Sequence, residues 1–386
     1  MDVTRSQLAR LTAGKAVVTT AVRWLPFFLP TLAIAFATTT PTLTTIIGIG
    51  EMAGLATIFI GRQLDDGEER RFLVRSLALV AVASLLAIIG NLWLFALSYL
   101  LMVIAGAGYT VSGHTFLSRR VPFEGRARVI GIFETAWAFA LLVGAPIVAL
   151  LITQFGWRAP FIVVSAVAVV IAGVVWRGID DSQPTGASTV KATRQRLNAE
   201  SWIAICASAA IAVSGLTTIV IAGTWLDEAL GVSTGGIGAV AMAFGAAELI
   251  ASSSSAVVAD RAGPNRSTRA AMVATLIGLA IMTQADSSLA IGALGLLFFF
   301  LGFEYSIVTS FSIVSDAMAS APGRALAMNN AFGTVMRGLG VIASGLLYEK
   351  FGIRGPAIVS ACAGVIAIAL LTVAAQRSRS EQDLLA

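Results

Sequence analysis

Seven ionisable side chains interrupt stretches of the sequence that are otherwise apolar. They are Arg23, Glu51, His114, Glu134, Glu248, Glu304 and Arg337. A charged side chain at the centre of a membrane-spanning helix costs about 2.5 to 3.5 kcal/mol when it faces lipid. Because folded proteins are stable by only about 5 to 15 kcal/mol, these groups must be paired, neutralised or hydrated in a cavity. Carboxylates in a poorly hydrated wall can exchange protons near neutral pH, which is the chemistry of a proton-coupled carrier.

Two of the acidic residues have a basic residue at a similar predicted depth. Arg23 and Glu134 fall in the same third of the membrane, and Arg337 is placed to pair with Glu304. Buried ion pairs of this kind can be purely structural. We favour a role in a cavity for the charged group as a whole, whereas for each residue alone structural pairing stays open.

Three of the seven, Glu51, Glu248 and His114, have no evident partner in the sequence. We therefore expect Glu51, Glu248 and Glu304 to bind protons or another cation. Tyr109 and Tyr305 are candidate aromatic side chains of the same substrate cavity. The excess of four glutamates over two arginines favours a cationic or neutral substrate.

Membrane-spanning helices must position these side chains, because the composition is that of a membrane protein. Hydrophobic residues make up 57% of the 386 residues and charged residues 12%, with a mean hydropathy of +0.87. Soluble proteins carry about 25% charged residues. Twelve apolar runs are long enough to cross a hydrocarbon core of roughly 30 Å. The predicted spans are 15–38, 42–62, 73–90, 93–117, 127–152, 159–176, 201–224, 235–258, 269–285, 288–316, 325–347 and 356–376.

The two halves of the sequence repeat each other. Tyr109 ends a Gly-Ala-Gly-Tyr segment, and Tyr305 ends a Gly-Phe-Glu-Tyr segment 196 residues later. The same spacing separates Phe155-Gly-Trp-Arg-Ala-Pro from Phe351-Gly-Ile-Arg-Gly-Pro. Parallel helical repeats are how many transporters build a site at the repeat interface. We predict an all-α membrane protein with two pseudo-symmetric six-helix bundles, at residues 1–177 and 201–386, joined by a cytoplasmic linker at 178–200.

Positive charge is distributed unevenly between the two sides of the predicted membrane. Lys and Arg residues concentrate on alternate connections, whereas Arg158, Lys350 and Arg354 lie on the opposite side. Short cytoplasmic loops retain positive charge, so we expect a multi-pass protein of the cytoplasmic membrane with both termini in the cytoplasm. This topology also accounts for the pI of about 9.7, so that nucleic acid is not an expected partner.

Two loops at equivalent positions of the halves resemble a known motif. The segments Gly61-Arg-Gln-Leu-Asp-Asp-Gly-Glu-Glu-Arg70-Arg-Phe-Leu73 and Val258-Ala-Asp-Arg-Ala-Gly263 are similar to the Gly-x-Leu-Ala-Asp-Arg-x-Gly-Arg-Arg loop of the major facilitator superfamily. The resemblance implies a twelve-helix transporter whose helices 3, 6, 9 and 12 lie outside the cavity, and those four helices carry no charge in their cores. It also implies cytoplasmic gating by Gly61, Asp65, Arg70, Asp260, Arg261 and Gly263.

Helix 5 contains a second, shorter resemblance. Gly144-Ala-Pro146 is similar to a reduced form of the antiporter motif found in the drug/proton exporter branch of that superfamily. The trailing glycine pair of the motif is missing, and Met102 stands where the branch usually has an arginine. The resemblance implies proton-driven export.

No cofactor, metal or enzymatic activity is expected. The sequence has no Walker loop, and its single histidine and two separated cysteines do not form a zinc motif. A nucleophile and base clustered at one depth, as an enzyme would need, are not evident. We expect a monomeric secondary transporter that exports a small organic solute in exchange for protons by alternating access. The alternatives are an importer working by symport or uniport, and a transporter-like receptor.

Overall fold

The computed structural model describes residues 3–56, 68–121, 123–180, 197–285, 288–318 and 322–385. For residues 56, 123–127, 256, 257, 260, 322, 323 and 378–385 it describes the backbone alone. The described residues form helices joined by short turns, and none of them lies in a β-strand. The predicted all-α membrane fold is confirmed.

The described residues form twelve helical rods, which follow one another in sequence order. In the first half they are α1 (Arg5–Arg23, then a 3-10 turn Leu25–Phe28 and Leu29–Ala35), α2 (Thr40–Met52), α3 (Glu69–Ala87), α4 (Leu92–Arg120), α5 (Phe123–Phe139, a π-helical turn Ala140–Gly144, and Ala145–Phe155) and α6 (Ala159–Gly178). In the second half they are α7 (Ala199–Glu228), α8 (Thr234–Ala262), α9 (Pro264–Met282), α10 (Leu289–Asp316), α11 (Pro322–Phe351) and α12 (Arg354–Leu385).

Within the described ranges, nine helices are long and apolar enough to cross a membrane. The three rods outside that group are α2, α3 and α9. The described part of α2 has only 13 residues. The polar first turns of α3 (Glu-Arg-Arg) and α9 (Pro-Asn-Arg-Ser-Thr-Arg) lower the hydropathy of those rods. All three coincide with spans predicted from the apolar runs.

Local sequence explains where several helices begin and bend. Thr4 and Gln7 form a capping box, in which each side chain accepts a hydrogen bond from the backbone N–H of the other residue. Pro26 and Pro30 interrupt the regular hydrogen bonding of α1, where the chain passes through its 3-10 turn. Pro146 follows the π-helical turn of α5 and forces a similar adjustment there.

The repeated turn before α6 and α12 has the same backbone feature in both halves. Gly156 has φ 81° and Gly352 has φ 56°, which is the left-handed region that glycine adopts without strain. These residues are the glycines of the Phe-Gly-x-Arg-x-Pro segments, 196 residues apart. The duplication seen in the sequence therefore extends to the backbone.

The helices group into two compact units. The first unit contains Met1–Thr39, Ala53–Ala192 and Ser233–Gly245. Its core includes an aromatic cluster in which Phe161 makes edge contacts with Trp24 and Phe95, at ring-centroid distances of 5.2 and 6.4 Å. The first part of α8, which comes from the second half of the sequence, thus belongs to this unit.

The second unit contains Thr40–Met52, Thr193–Val232 and Ala246–Ala386. Buried hydroxyl pairs join its helices, as between Thr218 and Ser360 (2.8 Å) and between Ser208 and Ser310 (2.9 Å). Such bonds and close contacts between small residues hold helices together in lipid, where the hydrophobic effect contributes little.

Two glycines of the second unit allow α2 and α11 to touch. A Cβ added at Gly48 would lie 2.5 Å from the carbonyl oxygen of Gly338, and one added at Gly338 would lie 2.5 Å from that of Gly48. Real Cβ atoms do not approach an oxygen so closely. The two backbones are therefore in direct contact at this point, and α2 packs on α11.

Candidate functional site

Three titratable side chains meet inside the first unit. The carboxylate oxygen Oε1 of Glu134 lies 2.6 Å from Nε2 of His114 and also accepts a hydrogen bond from Nζ of Lys15. These residues come from α5, α4 and α1. The side chain of Lys15 is only 2% exposed, whereas those of His114 and Glu134 are 41% and 39% exposed. The cluster thus has a buried cationic side and an open side.

An aromatic ring supports this cluster. The ammonium of Lys15 lies 4.5 Å from the centre of the Phe133 ring, and the His114 ring contacts the same ring edge-on at 5.5 Å. Gly113 provides the space for Phe133, because a side chain there would overlap the ring. The cation–π contact stabilises the charged form of Lys15 where it is shielded from solvent.

Sequence analysis identified Glu134 and His114 but missed Lys15. The predicted first span begins at residue 15, which places Lys15 at the membrane surface. In the structure α1 begins at Arg5, and Lys15 is almost three turns inside it. The capping box formed by Thr4 and Gln7 is the sequence signal that marks the true start.

Arg23 contacts α5 close to its π-helical turn. Its guanidinium donates a 2.7 Å hydrogen bond to the backbone carbonyl of Trp137 and lies 4.3 Å from the centre of the Trp137 ring. The centre of the Phe244 ring lies 6.0 Å from the same guanidinium. Glu134, the partner predicted for Arg23, bonds to Lys15 and His114.

The second unit holds a different ion pair from the one predicted. Nε of Arg337 lies 3.4 Å from Oε2 of Glu51, and Nη2 donates a 3.0 Å hydrogen bond to the hydroxyl of Thr334. The side chains of Arg337 and Glu51 are 26% and 28% exposed. Glu51 therefore has a partner that the sequence did not reveal. The remaining candidates, Glu248 and Glu304, are buried within α8 and α10.

The two tyrosines of the repeat have different surroundings. Tyr109 is fully buried, and its hydroxyl donates a 3.1 Å hydrogen bond to the carbonyl of Leu11, so that it packs α4 against α1. Gly14 makes room for the phenol ring. Tyr305 is also buried, and its hydroxyl finds no hydrogen-bond partner among the described residues.

The candidate gate residues Arg70, Arg261 and Gly263 lie within the described ranges. Gly61 and Asp65 lie outside the described residues, as does the side chain of Asp260. Arg70, in the first turn of α3, has its guanidinium 4.5 Å from the centre of the Trp176 ring. In the second copy, Arg261 is exposed in the last turn of α8, and Gly263 adopts φ 80° between α8 and α9.

A buried charge pair at the start of α3 was not singled out from the sequence. Glu69 is completely buried, and its Oε1 accepts a 2.5 Å hydrogen bond from Nη1 of Arg119 at the end of α4. A carboxylate in the first turn and a guanidinium in the last turn both complement their helix dipoles. The pair joins α3 to α4, and Glu69 belongs to the first of the two candidate gate loops, which runs from Gly61 to Leu73 in the sequence.

The helix-5 motif coincides with the irregular part of α5. Gly144 ends the π-helical turn, and Pro146 lies in the first turn of the helix that follows. A side chain at Gly144 would meet Thr20 of α1 at about 2.9 Å. The motif therefore marks both a change of helical register and a close approach of α1 to α5.

Within the described part of the chain, no group of three or more His, Cys, Asp or Glu side chains is arranged to hold a metal ion. Cys206 and Cys362 are free thiols.

The sequence was compared with protein-family models and with solved structures. It matches the model described as Major Facilitator Superfamily over residues 11–336, and again over residues 203–385. The chain belongs to the Major Facilitator Superfamily. It is thus a multi-pass membrane transporter with a small-molecule substrate, and not an enzyme. The second match begins within α7, at the start of the second half.

Two solved structures have the same fold as this superfamily member. Both are of a bacterial homologue of the human lysosomal transporter Spinster in an inward-facing conformation. The occupied form has a TM-score of 0.81 at 14% identity and covers 96% of each chain. The unoccupied form has a TM-score of 0.71 at 13% identity, covering 97% of this chain and 96% of that one. At these identities the likeness concerns the fold alone.

Proposed function

We propose that this transporter exports a small amphipathic organic solute in exchange for protons, and that Glu134 is its proton-coupling residue. The observation that carries the proposal is the sharing of one Glu134 oxygen by Lys15 and His114 within membrane-spanning helices. The sequence halves 1–177 and 201–386 would rock about a central cavity, with the linker 178–200 between them.

The burial of Lys15 gives proton binding a structural consequence. While Glu134 is ionised, it balances the ammonium of Lys15, which is 2% exposed. Protonation of Glu134 removes that counter-charge, and an uncompensated buried charge is costly. The cluster must then rearrange, either by moving Lys15 or by passing the proton to His114. Because the three residues lie on α1, α4 and α5, this rearrangement would change how those helices pack.

The exposed side of the cluster makes proton exchange feasible. Glu134 and His114 are each about two-fifths exposed, so that water or a substrate can reach them. Substrate binding would be favoured while Glu134 is ionised, and this linkage between substrate binding and proton binding is the basis of antiport. Glu51, Glu248 and Glu304 would contribute further acidic groups from the second unit.

The finer assignment to the drug/proton antiporter branch rests on the irregular α5. Gly144 and Pro146 lie within about four turns of Glu134 along the same helix, at 1.5 Å per residue. A helix that is already irregular can change register more readily than a regular one. We propose that the transporter is a monomer in the cytoplasmic membrane. Both termini would lie on the cytoplasmic side, as the distribution of Lys and Arg favours.

A ligand screen followed by a flux measurement tests the proposal. Purified protein is screened by thermal shift against a panel of cationic, neutral and anionic amphipathic compounds. The screen is run at about pH 6 and about pH 8, which lie on either side of the ordinary pKa of histidine. Cationic or neutral compounds should stabilise the protein, and more strongly at pH 8. In proteoliposomes, the best compound should be driven against its own gradient by an opposing proton gradient. Flux that does not respond to the proton gradient would refute proton coupling. Movement of the compound in the same direction as the protons would indicate symport.

A further inference from the structure

An apolar groove runs along the first unit between α1, α5 and α6. Its volume is about 520 Å³, within the range of roughly 300 to 1,000 Å³ that is usual for small-molecule sites. Small side chains of α1, including Ala13 and Ala16, line one side, and Val143 of α5 and Val167 of α6 line the others. The groove differs in chemical character from the Glu134 cluster, because almost all of the groove surface is apolar.

The groove opens onto the face of the protein that meets the bilayer. Val143 and Ile147 of α5 are each 48% exposed, and Val167 of α6 is 41% exposed. The three helices that form it are long and apolar enough to span the membrane. The medium outside the opening is therefore hydrocarbon. An empty groove would forfeit dispersion contacts on every wall, so an alkyl chain is the occupant that the bilayer supplies.

The shape of the groove suits an extended chain. Along α5 its lining runs from Ala136 to Leu151, which at 1.5 Å per residue is a length of about 22 Å. One leaflet of a 30 Å hydrocarbon core is about 15 Å thick. The groove is thus long enough to take the whole depth of one lipid chain.

One end of the groove is basic. Its lining on α1 begins at Thr12, two residues after Arg10. The guanidinium of Arg10 passes directly over Gly178 at the end of α6, since a side chain at that glycine would overlap it. Arg177, the residue before Gly178 in the sequence, is exposed. Two cationic residues are therefore found near the end of the groove at which a lipid headgroup would lie if its chain entered from this end.

We propose that this groove binds one acyl chain of an anionic phospholipid, with the lipid phosphate held between Arg10 and Arg177. The apolar walls provide the affinity for the chain, and the two guanidinium groups provide the preference for an anionic headgroup. The site is independent of the transport cycle proposed above, because it needs neither Glu134 nor a substrate.

Photolabelling tests this site on the purified full-length protein in detergent. The probes are phosphatidylglycerol and phosphatidylcholine with the same diazirine-bearing acyl chain, and labelled peptides are mapped by mass spectrometry. Phosphatidylglycerol should label peptides of α1 and α5 that line the groove. Ala16→Phe should fill the groove and abolish this labelling, whereas Val169→Phe, on the exposed face of α6 outside the groove, should not. Val143→Phe serves as a second filling variant should Ala16→Phe fail to fold.

The headgroup preference has its own matched pair of variants. Arg10→Gln should weaken phosphatidylglycerol labelling about fivefold, which is the expected contribution of one cation near an anionic headgroup. Arg5→Gln, on the same helix, should leave the labelling unchanged. Labelling spread evenly over the exposed apolar surface would show annular lipid only and overturn the proposal. Equal labelling by the two lipids, or full labelling of both filling variants, would overturn it as well.

Discussion

Lys15 and His114 share one oxygen of the Glu134 carboxylate, and the two partners differ sharply in their access to solvent. Lys15 has lost nearly all of its hydration, so that its charge depends on Glu134 and on the Phe133 ring. His114 keeps contact with the open side. Glu134 therefore links a buried cationic side chain to an imidazole that solvent can reach.

The dependence of Lys15 on Glu134 predicts an asymmetric pair of mutants. Breaking a fully buried ion pair costs about 3 to 5 kcal/mol, and the partial exposure of Glu134 reduces the expected cost of Lys15→Met to about 1 to 3 kcal/mol. Glu134→Gln leaves the buried ammonium behind and should destabilise at least as much. The double variant should recover part of the loss, as measured by thermal unfolding in detergent. Strictly additive losses would contradict the coupling.

The contact between α2 and α11 depends on two glycines that leave no space between the backbones. Gly48 and Gly338 approach so closely that neither tolerates a methyl group without moving a helix. Next to this contact, Glu51 of α2 pairs with Arg337 of α11. The pair and the glycine contact are therefore expected to form and separate together.

A single methyl group tests this contact. Gly338→Ala should destabilise the protein by about 1 to 3 kcal/mol, because the new Cβ would lie 2.5 Å from the carbonyl oxygen of Gly48. Gly333→Ala, five residues earlier on α11, is the matched control, since a Cβ there meets only Arg337 Nη1, at 3.6 Å. The control should be neutral or slightly stabilising, as alanine is the better helix former. Equal thermal stability of the two variants would rule out the tight contact.

The lengths of the apolar runs predicted the positions of the helices well, but not the contacts that form the site. The span predicted at 159–176 agrees with α6, Ala159–Gly178, because both ends are marked by turn residues. The start of α1 was placed ten residues late, since its polar first turns hide it from hydropathy. Arg337 pairs with Glu51 because of how each helix is rotated and packed. Hydropathy alone does not determine that rotation or packing. The π-helical turn of α5 was not predicted, although Pro146 signals a break.

At the scale of the whole molecule, the two halves repeat their turns but not their chemistry. Lys15, His114 and Glu134 correspond, at the spacing of 196 residues, to Ile211, Ser310 and Asn330. The second half thus lacks all three of the groups that meet in this cluster. The uncharged residues at these positions of the second half agree with a proton site that is formed by the first half alone.

The distribution of basic residues predicts the sidedness of the molecule. In a background with Cys206 and Cys362 replaced by serine, Ser6→Cys should lie in the cytoplasm and Gln154→Cys outside, and both positions are exposed. A membrane-impermeant maleimide added to intact cells should label Gln154→Cys alone, and permeabilised cells should show both labels. Labelling of Ser6→Cys in intact cells would reverse the assigned orientation.

The central claim, that Glu134 couples transport to protons, is tested most directly by flux through Glu134→Gln in proteoliposomes, with substrate on one side and a proton gradient imposed or absent. The variant should still exchange substrate for substrate, while accumulation driven by the proton gradient falls to the level seen without a gradient. Glu349→Gln, an exposed glutamate at the end of α11, should behave as the unmodified protein. Gradient-driven accumulation that survives unchanged in Glu134→Gln would contradict the account.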